Sequence, residues 1–121
     1  MATTYVQDGK VIDWTNGGSA VSAGDVVVIG AILGVALVDI AGSATGAVQI
    51  EGVFDCPKVS GAVIAAGESL TWDVSAGAFD DNAASPASGD VTKQPAVAFE
   101  AAGSGVTTLA VKFTGVPGTV T

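Results

Sequence analysis

Val21-Ser-Ala-Gly-Asp-Val-Val-Val-Ile29 is repeated in outline 43 residues later as Ile64-Ala-Ala-Gly-Glu-Ser-Leu-Thr-Trp72. Each copy places an apolar residue, two small residues, a glycine and a carboxylate ahead of a β-prone run. The glycine supplies a backbone position with positive φ, and the carboxylate keeps the turn in water. The β-branched and aromatic run that follows reads as a strand. Two such turn–strand units predict an all-β domain built from related halves. The echo extends further. Gly34-Val-Ala-Leu-Val-Asp-Ile-Ala-Gly42 is mirrored by Ala96-Val-Ala-Phe-Glu-Ala-Ala-Gly103, and residues 47–54 by the last strand. No stretch carries a sustained 3.6-residue period.

The rest of the chain punctuates that plan. Asp8-Gly9 between β-prone runs favours a two-residue turn, so residues 1–14 are expected as an N-terminal hairpin. Its register pairs Gln7 with Lys10, Val6 with Val11, Tyr5 with Ile12 and Thr3 with Trp14. Tyr5, Ile12 and Trp14 then share one apolar face, and they are the candidate capsid or subunit contact named below. Strands are expected over residues 26–29, 35–40, 47–54, 69–74, 95–101 and 107–113, with another short one within 58–64. Residues 30–34 fit either a turn or a strand. Residues 75–90 read as one long polar loop and residues 114–121 as a loose tail. The 121 residues fit a single domain, a small β-sandwich or β-barrel.

Composition narrows the function. Twelve carboxylates face four lysines for a net charge of −8, and there is no arginine. Lys10, Lys58, Lys93 and Lys112 are scattered along the chain, which argues against nucleic acid as a partner. Without histidine there is no Ser-His-Asp or Cys-His arrangement, and a lone Cys56 does not make a zinc site. Cys56 reads as a packed thiol. The phosphate-loop pattern is absent, since Gly9-Lys10 is followed by Val11. Asp73, Asp80, Asp81 and Asp90 are the remaining chemical cluster, and they read as solvated loop residues. Trp14 and Trp72 lie on apolar strand faces and read as packing residues. No cofactor and no enzyme activity are expected. Only 13% of residues are charged, so a small chain like this is expected to hide surface against a copy of itself or a partner. Met1-Ala-Thr-Thr-Tyr5 lacks the basic and apolar parts of a secretory signal. Residues 26–38, uncharged but interrupted by two glycines, are too short to span a bilayer. Synthesis in a cytoplasm and no membrane association are the expectation.

The ordered set Tyr5-Val-Gln-Asp-Gly9, Ile12-Asp-Trp14, Val21 to Gly30, Gly34-Val-Ala36, Gly52-Val-Phe54, Pro57-Lys58, Gly67-Glu68 and Leu70-Thr-Trp-Asp73 resembles the phage capsid cement, or head decoration, family. The likeness runs from residue 4 to about residue 113. That family has also carried a recombinase label, which an acidic chain without a phosphate loop does not support. The resemblance implies a β-rich, trimeric structural protein on the outside of an assembled icosahedral head, with the major capsid protein as partner. The expected location is the virion, after host cytoplasm during assembly. The alternative is a tail or fibre β module that binds host-surface carbohydrate.

Overall fold

The computed structural model describes Thr4, Gln7 and residues 9–121. The first strand of the expected hairpin, with Tyr5 and Asp8, lies outside these residues. Among them there are eleven strands and no helix. The all-β expectation holds.

The first sheet contains β1 (Val11–Thr15), β2 (Val26–Ile29), β3 (Ile32–Ala36) and β4 (Thr45–Gln49), in the order β1-β4-β3-β2. The second contains β5 (Glu51–Pro57), β9 (Ala96–Ala98) and β10 (Thr108–Thr114), in the order β5-β10-β9. A third joins β6 (Thr71–Asp73), β7 (Ala78–Asp80), β8 (Val91–Thr92) and β11 (Thr119–Val120), in the order β11-β8-β6-β7. All strand pairs are antiparallel.

The sequence echo is a structural duplication, bond for bond. Gly24 and Gly67 have φ of 93° and 85°, where a side chain would be strained. The Gly24 amide donates to Ala36 O at 2.7 Å, and the Gly67 amide to Ala98 O at 2.8 Å. Ala36 N answers on Asp25 O, and Ala98 N on Glu68 O, both at 2.9 Å. The paired carboxylates close the same turn from inside. Asp25 Oδ2 accepts from Ser22 N at 2.9 Å, and Glu68 Oε1 accepts from Ala65 N at 2.7 Å. Val21 bridges Ile40 as Ile64 bridges Ala102. In the same scheme β1 on β4 corresponds to β5 on β10, so Ile12 opposite Val48 matches Phe54 opposite Val111.

Each half therefore has a concave face and an outer face. The concave face of the second half carries Cys56, Ile64, Leu70, Trp72, Ala98, Val111 and Phe113, all within the main core. The outer face of the first sheet, with Val26, Val28, Leu33 and Val35, packs into that same core. The concave face of the first half builds only a small second core of Val27, Ala36, Ile40 and Val48.

Several expected boundaries shift. The strand expected at 35–40 is β3, three residues earlier, because the chain leaves the sheet after Ala36 to reach the Ile40–Val21 bridge. The strand expected over 47–54 is split at Ile50, whose amide donates to Lys10 O at 2.8 Å, and its two parts enter different sheets. Residues 58–64 hold only single bridges at Lys58 and Ile64. The strand expected over 95–101 shortens to β9, leaving Phe99 in solvent. The stretch 75–90 carries β7, which pairs Phe79 with Trp72 and buries its ring completely. The tail is tied down: β11 pairs with β8, and Gly118 N donates to Ala31 O at 2.8 Å.

Candidate interaction surface

The groups that chemistry would need are consumed by the fold. Asp73 Oδ1 accepts from Ser75 Oγ at 2.7 Å and from the Ser75 and Ala76 amides at 3.1 Å. The Ser75 hydroxyl and the Ala76 amide hold its carboxyl below the usual carboxylate range. Asp80 and Asp81 each accept from a nearby amide, of Asp81 and Ala83 respectively. Asp90 is buried and clamps Val74 N at 3.0 Å and Ala87 N at 2.9 Å. These four carboxylates close separate turns rather than converge, and the described residues contain no group of three or more metal-ligating side chains. Cys56 is buried, and burial followed by the Asp55 charge pushes its thiol up to about 12. At neutral pH it is a protonated thiol, unsuited to nucleophilic attack. Trp72 lies inside, with its ring centroid 4.8 Å from that of Phe79, so it offers nothing to a sugar.

Two buried polar side chains hold the loops of the two halves at matching positions. Asn16 follows β1, and Lys58 follows β5. Their amides make matching bonds, to Ala44 O and Thr107 O, both at 2.8 Å. Asn16 Nδ2 donates to Ser19 O at 2.8 Å and to Ile40 O at 3.2 Å, while its Oδ1 accepts from Gly18 N at 2.9 Å. Lys58 is only 4% exposed, and its ammonium donates to Val59 O at 2.8 Å and to Gly103 O and Val106 O at 3.1 Å. Sequence reasoning did not single out either residue for this role. The register was the available signal, since each ends a strand that pairs with the last strand of its half.

Of the sequence-derived contact residues, Ile12 and Trp14 are brought together on the concave face of the first half. Both are half-buried and pack on the small core. Tyr5 lies outside the described residues. A second surface was not foreseen. On the outer face of the β5-β10-β9 sheet, the register aligns Val53, Lys112 and Val97 in one row and Asp55 and Ala110 in the next. Phe99 joins the second row through its amide bond to Ala110 O at 3.0 Å, and it is 61% exposed. Two grooves flank these rows. One of about 580 Å³ includes Lys93, Val97 and Val116. The other, of about 510 Å³, includes Lys10, Glu51 and Lys112. With Lys58 buried, the three other lysines of this acidic chain all border one face.

The arrangement suits binding between surfaces more than turnover of a small molecule. A family model described as phage cement protein matches residues 6–113. No curated protein and no solved structure matches the chain.

Proposed function

The chain belongs to the phage cement protein family, and from that premise we propose that it binds the outside of the assembled icosahedral head, on the major capsid protein, and stabilises the shell as a homotrimer. The family match over residues 6–113 is the observation that carries this reading. The architecture supports it. A cement subunit works by burying area many times over a lattice, where each added contact becomes effectively intramolecular. The carboxylates and the thiol described above are occupied in turns and core, while the lysines and exposed apolar residues lie together on one sheet face.

The N-terminal hairpin with Tyr5, Ile12 and Trp14 is an attachment or subunit-contact element in this reading. Ile12 and Trp14 border a core of only four buried residues, so their apolar face gains by being covered. The protein is made in host cytoplasm and ends on the capsid exterior.

The test adds purified protein to heads assembled without it. Saturable binding at hundreds of copies per head, with a rise in the temperature at which heads rupture, is the expected result. Binding at a few copies, or at tail structures alone, overturns it in favour of a tail or fibre module.

A further inference from the structure

The internal duplication contains a contact that occurs once within the chain and has its parts left over at both ends. The outer face of the first half, with Val26, Val28, Leu33 and Val35, fills the concave face of the second. The second half has an outer face of its own that fills nothing in this chain. Conversely, the concave face of the first half is only partly covered. Trp14, Val21, Ile29 and Ile50 are half-buried there. Their counterparts Cys56, Ile64, Trp72 and Phe113 are buried, beneath the first sheet and the rings and side chains of Phe79 and Val91. One half thus has an uncovered socket, and the other an unused outer face.

We infer that the outer face of the β5-β10-β9 sheet of one copy, centred on Val53, Val97 and Phe99, docks against the concave face of the first half of a second copy, around Ile12 and Trp14. The occupant is a second copy because the contact continues the one already made inside the chain. Charge agrees. Lys10, Lys93 and Lys112 surround the outer face, while the chain as a whole carries −8, so a neighbour of the same sequence is attracted to it. Such a contact is heterologous, joining different patches of two copies, and it closes into a ring where the rotation permits. The inference rests on the reading that the protein self-associates, and it gives the trimer its two surfaces.

The experiment measures mass in solution for the wild type, Phe99→Asp and Trp14→Lys. Phe99 is exposed, so Phe99→Asp leaves the fold intact by circular dichroism. If Trp14→Lys does not fold, Ile12→Lys on the same edge strand replaces it. The wild type is expected to be trimeric and each variant monomeric. A one-to-one mixture of variants then restores one contact, since Phe99→Asp keeps its socket and Trp14→Lys keeps its outer face. Twice the chain mass is the expected product. A Phe99→Asp protein that remains trimeric, or a mixture that remains monomeric, overturns the inference. So does a monomeric wild type at tens of micromolar. Head binding by that monomer leaves the cement reading standing, whereas a trimer that ignores heads sinks the cement reading and leaves this contact intact.

Discussion

At the scale of single residues, the two buried polar side chains show what the duplication conserves and what it changes. Asn16 and Lys58 do the same work with different chemistry, each satisfying carbonyls that loop closure would otherwise orphan. Lys58 has three carbonyl partners and is nearly enclosed. Lys58→Met keeps the apolar stem and leaves those acceptors without a donor. The expected loss is on the order of 3 kcal/mol in urea-monitored stability, and a loss too small to measure contradicts the assigned role. Cys56 gives a pH dependence. Its thiol rises from 9.0 to about 12 in the folded chain. The unfolded chain therefore loses its proton first, so the stability that this group contributes is complete below pH 9.0 and falls as pH rises towards about 12. Cys56→Ala should flatten that alkaline decline. A native thiol that reacts with a neutral alkylating agent at pH 8 as fast as an unfolded one would show that the burial argument fails. Neither role was legible from sequence. A lysine and an asparagine sit at ordinary strand ends, and only the register shows that they face closing loops.

At the scale of elements, long alternating strands were legible and short ones were not. β10 was readable because Leu109, Val111 and Phe113 alternate with polar or small residues, and all three are buried. β2 was readable as an unbroken β-branched run. β7, β8 and β11 have two or three residues each, too few for any period, and they form because neighbouring backbone offers partners. Phe79, among alanines and aspartates, was the one clue that residues 75–90 reach the core. The tail illustrates the same limit. Pro117-Gly118 looked like a mark of looseness, yet Gly118 is where the tail passes closest to the body. A Cβ there would collide with Thr92 O and lie 2.5 Å from Pro95 Cδ. Gly118→Ala is expected to cost about 1–3 kcal/mol, as overpacking does, and to release β11 from β8. Rapid proteolysis after residue 114 in the variant, but not in the parent, is the readout. Equal resistance in both would mean that the tail accommodates the methyl group.

At the scale of the whole molecule, the halves share a plan and differ in how well they are filled. The main core gathers fifteen buried side chains, thirteen from the second half and only Leu33 and Val35 from the first. The first half's own core has four. Local opening free energies follow the apolar contacts that opening must break. Native-state hydrogen exchange is therefore expected to run faster at Ala36 than at Ala98, although their amides make matching 2.9 Å bonds to Asp25 O and Glu68 O. The comparison is internal, since each amide ends the same turn in the same protein and solvent. The sequence made the duplication legible through its offset of 43 residues, but not this asymmetry. The difference lies in which half has another sheet laid over its concave face. Covering that face by assembly should slow exchange at Ala36 and leave Ala98 nearly unchanged. Equal exchange at the two amides in the free chain would mean that the small core is as secure as the large one, and the first half would then have no energetic reason to seek a cover.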